Sequence, residues 1–153
     1  MLIGLIGKPS TGKSTFFKAA TLAEIEINAR PFTTLKSTEG EGYAKVECVD
    51  KEFKVKCDPR YGFCVNSFRF VPVKLMDVPG LIEGSHEGKG MGSQFLDDLN
   101  EADALIQIID ISGSTDQDGN LVDPLSYDPE KDIEFLENEL DQWYLRILKK
   151  GWE

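Results

Sequence analysis

Long apolar runs are missing from this sequence. No stretch approaches the roughly 20 residues that a bilayer-spanning helix requires. The opening MLIGLIG is too short, and too uncharged at its start, for a secretory signal. The expected compartment is therefore the cytoplasm. Basic residues are scarce as well: 17 Lys and Arg stand against 27 Asp and Glu, a net charge of -10 over 153 residues. Such a surface repels phosphate backbones, so direct DNA binding is not expected, and RNA is a poor ligand for this stretch alone. Any anion it binds needs a local device. Histidine occurs once, as His86, and cysteine three times, as Cys48, Cys57 and Cys64, with no Cys-x-x-Cys pair. Zinc would require a fourth ligand beyond these three thiols. The gaps of eight and six residues between them lack the usual metal-ligand pattern, so free buried thiols are the expected state.

What is present is the makings of one globular domain, with 41% hydrophobic and 10% aromatic residues. Residues 2–6 form an apolar run of the kind buried on both faces of a parallel sheet. KSTFFKAATLA, residues 13–23, has helical composition with Phe16, Phe17 and Ala20 along one side. Residues 28–42, broken by Pro31, Gly40 and Gly42, read as loop. Segments 43–49 and 52–57 read as short strands joined by a turn at Asp50-Lys51, and 58–63 as another turn. A long strand covers 68–78, where Pro72 demands an edge position or a bulge. Five glycines at 80, 84, 88, 90 and 92 make a mobile loop, followed by a helix over 93–102 and a buried strand over 104–110. Residues 112–129 read as loop. DQDGNLVD within them lacks the glycine and glutamate of a calcium loop. A final helix over 130–149 carries Phe135, Leu136, Leu140, Trp143, Tyr144, Ile147 and Leu148 at helical spacing and is expected to pack on the sheet. Strands alternating with helices argue for an α/β layered fold with a mostly parallel sheet.

Between the first strand and the first helix lies GKPSTGKST. Gly7, four residues, then Gly12-Lys13-Ser14 is the pattern of a phosphate-cradling loop. The glycines allow successive N–H groups to turn inward around anionic oxygens, and the helix that follows adds the positive end of its dipole. In such a loop the backbone of Gly7, Lys8, Pro9, Ser10, Thr11, Gly12, Lys13, Ser14 and Thr15 surrounds the phosphates. Lys13 reaches the β- and γ-phosphates, and the Ser14 hydroxyl faces Mg²⁺. Asp77-Val-Pro-Gly80, at the end of the second apolar strand, supplies a carboxylate for Mg²⁺ and an amide for the γ-phosphate. In RPFTTL, Thr33 and Thr34 both have the chemistry to complete the metal shell.

Together GKPSTGKST, PFTT, DVPGLIEGSHEGKGMGSQFL and EADALIQIID resemble the Obg family of P-loop GTPases. GKGMGSQFLDDLNEADA and LKKGW are most similar to the archaeal Obg/YchF branch. The resemblance implies a Ras-like fold with helices on both sheet faces and Mg²⁺-dependent hydrolysis of GTP to GDP. It also implies a link to the ribosome or RNA, and places the switch threonine at Thr34. It divides the chain into a phosphate loop (7–14), switch I (28–42), an extended cysteine-containing hairpin (43–76), switch II (77–92) and the terminal helix. The switches are expected to order only with nucleotide. The family's guanine-reading Asn-Lys-x-Asp and its C-terminal TGS domain do not occur, so a truncated G domain is expected, one that grips phosphates without selecting the base.

Two further departures bear on chemistry. Leu81 follows Gly80 where Ras-type enzymes carry a water-orienting glutamine, which implies slow hydrolysis unless another group helps; His86, in the same loop, is the candidate. Ser10 stands where many relatives carry the asparagine associated with K⁺ activation, and its short hydroxyl argues against K⁺ dependence. Two rivals stand beside a GTPase: an ATPase of the same family, and a non-catalytic interaction module that binds through the cysteine hairpin.

Overall fold

The computed structural model describes residues 1–21, 37–87 and 96–152. Strand β1 (Leu2–Ile6) lies inside the sheet and projects alternate side chains to opposite faces. Leu5 and the half-buried Ile3 meet Phe17 of α1 (Lys13–Thr21) and Leu75, while Ile6 and Leu2 turn to the opposite layer with Met76, Val78, Leu81 and Leu96. Two cores on the two faces of one sheet is the α/β architecture expected, with a helix on each side. Burying one Leu or Phe in them contributes about 1.5–3 kcal/mol. Of the expected α1 stripe only Phe17 is fully buried; Phe16 is exposed.

The sheet runs β2 (Thr38–Glu47), β4 (Phe68–Asp77), β1, β5 (Ala104–Gln107), and β3 (Phe63–Val65) also pairs with β4. The β4–β1–β5 centre is parallel, while β2 and β3 run antiparallel to β4. β2 begins well before the expected residue 43. Gly40 and Gly42, read as loop residues, are strand residues whose missing side chains let α1 approach. A Cβ at Gly40 would come within 2.8 Å of the Phe17 ring, and one at Gly42 within 2.8 Å of the Ala20 carbonyl oxygen.

Residues 52–57 do not form the expected strand. Asp50–Phe53 is one helical turn, α2, ended by Lys54 in the left-handed region at φ 53. Pro72 sits in the sheet interior and still finds an edge. β2 pairs with β4 along its whole length on one side; on the other, β3 covers Phe68 to Phe70 and β1 covers Lys74 to Asp77. Pro72 falls in the gap between those two partners, where a missing N–H leaves no ladder bond unmade. β5 is shorter than expected and half-exposed rather than buried.

The last helix, α3 (Glu130–Trp152), runs three residues beyond the expected end and packs on the sheet through Leu136 and Trp143, with Phe135 and Leu140 half-buried beside them, while Tyr144, Ile147 and Leu148 of the expected stripe are exposed. Its buried positions are Asp132, Leu136, Glu139 and Trp143, spaced four, three and four residues apart on one face. Two of the four are acids. No helix among the described residues is long and apolar enough to cross a membrane. The expected helix over 93–102 is described only from Leu96, ending in a 3₁₀ turn at Leu99–Glu101. Most of the expected switch I, including Thr34, lies outside the described residues, as do positions 88–92 of switch II.

Candidate functional site

The carboxyl ends of β1 and β4 lie side by side, Leu5 opposite Asp77, and the Gly7–Ser14 loop crosses above them into α1. Gly7 adopts φ 147 and Gly12 φ 93, angles that disfavour any side chain, and a Cβ at Gly7 would meet the Ile108 carbonyl oxygen at 2.4 Å. Ser10, at the exposed crest, takes the left-handed region at φ 63 without being glycine. Thr11 Oγ1 donates to the Lys8 carbonyl at 3.1 Å, which ties the turn to itself.

Lys13 opens α1 with its side chain buried, and its Nζ donates to the Lys8 carbonyl at 2.7 Å. Burial holds its pKa down at about 8, with the charge of Asp77 pulling the other way. The next residue, Ser14, donates its hydroxyl to Asp77 Oδ2 at 2.5 Å. Burial pushes the Asp77 carboxyl above its ordinary value, opposed by the Ser14 hydrogen bond and by Lys13. Asp77 Oδ1 is buried with no hydrogen-bond partner among the described residues. A hydroxyl and an orphaned carboxylate oxygen, both hard donors, fit an oxygen-seeking cation such as Mg²⁺. Motifs 63 residues apart thus meet at one point.

The remaining candidate residues divide by what holds them. Gly80 lies against Pro9, with no room for a side chain between them. Leu81 donates its N–H to the Gly7 carbonyl at 3.1 Å and buries its side chain in the α3-side core, so it offers no polar group to a water. Thr15 is exposed on the first turn of α1. The Lys8 side chain has a different employment from its backbone. Its Nζ is buried against Asp132 Oδ2 at 2.9 Å and the Thr115 carbonyl at 2.9 Å, and sits 3.9 Å from the centroid of the Tyr127 ring. It fastens the phosphate loop to the 110–129 segment and to α3.

His86 is not loose in a mobile loop. It sits in a 3₁₀ turn, Ser85–Glu87, with Nδ1 2.8 Å from Glu139 Oε2. The fully buried Glu139 also accepts the N–H of Gly84 at 2.7 Å and that of His86 at 2.8 Å. The imidazole is committed to α3. Thr115, Asp132 and Glu139 carry structural weight at this site and have no local signal in the sequence, because their partners lie 53 to 107 positions away in the chain or, for Asp132, across the same fold on Lys8.

The profile of the 50S ribosome-binding GTPase family matches residues 2–142. An uncharacterized GTP-binding protein of Methanocaldococcus jannaschii is 49% identical over 99% of this chain and 38% of its own length. The GTPase Obg of Syntrophus aciditrophicus is 41% identical over 72% of this chain and 26% of its own. The crystal structure of a GTP binding protein from Pyrococcus horikoshii OT3 superimposes with a TM-score of 0.72 at 39% identity, covering 99% of this chain and 35% of that one. The chain thus spans little more than a third of the length of the relatives it matches along its whole extent.

Proposed function

The chain belongs to the 50S ribosome-binding GTPase family, and from that premise we propose that it binds GTP in the Gly7–Ser14 loop and hydrolyses it, with Mg²⁺, as a regulatory switch. The observation that carries this reading is the convergence of Lys13, Ser14 and Asp77 beneath the loop. Lys13 donates to the phosphates once it leaves the Lys8 carbonyl, exchanging a neutral acceptor for an anionic one. Backbone amides of residues 8–15 and of Gly80 hold the phosphate oxygens. Ser14, Asp77 and Thr34 are the residues that would hold Mg²⁺, which when bound would neutralise charge on the β- and γ-phosphates. Leu81 presents no polar group, so hydrolysis is slow without an activator. His86 is held by Glu139 and acts directly only if that contact opens. The short Ser10 hydroxyl argues against K⁺ dependence.

We place the protein in the Obg/YchF branch on the motifs that resemble it, and propose a ribosome or RNA partner, in the cytoplasm, on the family's description. An adenine-preferring ATPase of the same family is the second reading, carried by the resemblance to the YchF branch. Titrating the full-length protein with fluorescent GTP and ATP analogues separates the two. Replacing Lys13 with alanine removes a charge-assisted bond and is expected to weaken triphosphate binding by about 10- to 100-fold. Unchanged affinity in that variant would overturn the nucleotide reading in favour of a non-catalytic module.

A further inference from the structure

At the opposite end of the sheet from the phosphate loop, Cys48, Cys57 and Cys64 bring their Sγ atoms within 4.8 Å of one another. They come from three segments. Cys48 follows the last residue of β2, Cys57 lies between α2 and β3, and Cys64 is the centre of β3. The backbone is shaped to assemble them. Cys48 donates its N–H to the Ser67 carbonyl at 2.8 Å. Asn66 and Ser67 reverse β3 into β4 at φ 50 and 62, and Lys54 ends α2 in the same region. Residues with a Cβ hold such angles only where their surroundings fix them.

Beyond the β2–β4 and β3–β4 ladders, little else holds this lobe together. Among the described residues, none from 43 to 74 is buried. Val49, Phe53, Val55 and Tyr61 are exposed, and the packing is a short row of rings, Tyr43, Phe63 and Phe70. A segment with so small a core needs a covalent or metal staple to keep one shape. A disulfide would use two of the three sulfurs and leave one over.

We propose that Cys48, Cys57 and Cys64 form a thiolate site for a soft or borderline divalent cation, Zn²⁺ first among them, that staples the β2–β3–β4 lobe. Three sulfurs at about 2.3 Å from a tetrahedral ion stand about 3.8 Å apart, within small side-chain rotations of the spacing observed. The chemistry is acid–base alone: three S–H protons leave for solvent, three metal–sulfur bonds form, and no electron moves. The Asp50 backbone amide donates a hydrogen bond to the Cys48 sulfur, the outer support that a coordinated thiolate requires. The fourth position falls to solvent, since no carboxylate or imidazole among the described residues joins the three sulfurs.

The test uses the full-length protein, purified under reducing conditions, with the metal alone as probe. About one equivalent of zinc is expected by elemental analysis, and titration with Co²⁺ should produce intense sulfur-to-cobalt charge-transfer absorption. Replacing Cys57 with serine should abolish that absorption. On the unmodified protein, chelation should speed amide exchange across residues 44–70 by about tenfold or more while leaving β1 and α1 unchanged, a readout that needs no variant to fold. A wild-type protein with no thiolate–cobalt band, or equal metal content in a Cys48, Cys57, Cys64 triple serine variant, would overturn the assignment. So would exchange across 44–70 that ignores the chelator.

Discussion

The two ends of strand β4 are built on opposite principles. At its carboxyl end, Leu75, Met76 and Asp77 are buried, as are Lys8, Lys13, Asp132 and Glu139 around them. At its amino end, Phe68 to Val73 are half-exposed and no neighbouring residue reaches the core. The first end accepts the desolvation of five charged side chains and offsets it with geometry: Lys8 against Asp132, Ser14 against Asp77, and Glu139 against two amides and an imidazole. The second end avoids buried charge and depends on a strand ladder, three rings and three thiols. Lys8 and Glu139, each held by more than one partner, fix the segments around them. The loop they fix is the one proposed to meet phosphates, where a displacement of about an ångström is costly. The far lobe carries no such demand.

The sharpest way to break the contrast is to strip one partner from the buried ion pair. Lys8→Met leaves the buried Asp132 carboxyl without its ammonium partner. The expected loss is about 3–5 kcal/mol in chemical denaturation. Combining it with Asp132→Leu removes the stranded charge and should recover most of that loss. If the single variant is as stable as the parent, the near end does not depend on matched charge and the comparison fails.

That pair also shows where the sequence stops informing. The Gly7–Ser14 loop, Asp77 and Gly80 were legible because each lies in a short motif whose chemistry depends on local spacing. Lys8 was legible as part of the same loop, but only for its backbone. Its side-chain role depends on Asp132, which a helical pattern places on a polar face until the fold brings a lysine to it. Glu139 was hidden for the same reason. Gly40 and Gly42 misled because glycine signals a turn when read locally, while here it marks the approach of a neighbouring helix. EFKVKC alternates like a strand, yet residues 50–53 close into a helical turn. The clustering of three cysteines separated by eight and six residues could be seen only in three dimensions.

A smaller effect, with a defined sign, comes from Asp110 at the base of the loop that carries Thr115. Burial raises its pKa, but hydrogen bonds from Ser112, Thr115 and Ser114 outweigh burial and hold the carboxyl at about 2. A depressed folded-state pKa favours folding above the ordinary carboxylate value of 3.8, and that contribution is lost as pH falls from there through about 2. Discounted for partial solvation, it amounts to about 1 kcal/mol. Asp110→Asn should therefore flatten the stability profile between pH 4 and 2 by about that much, as followed by denaturation at a series of pH values. An unaltered acid limb would mean that the hydroxyl cluster does not secure the Lys8 anchor.

An effect of similar size belongs to the far lobe and tests whether the two ends are independent. Phe63 is 44% exposed, stacked on Phe70 at 4.7 Å between ring centroids and tilted against Tyr43 at 5.2 Å. Removing a half-exposed ring from such a pair costs about 0.5–1.5 kcal/mol. The ring lies some seven residues along β4 from Asp77, about 23 Å at 3.3 Å per residue, with no shared contact. Effects at that separation add without coupling. Phe63→Ala should thus raise amide exchange across β3 and the amino half of β4 while the phosphate-loop amides keep their protection. Combined with Lys8→Met, it should lower stability by the sum of the two single losses, to within about 0.5 kcal/mol. A larger shortfall or excess would show that β4 transmits strain along its length, and that the lobe and the loop act as one unit.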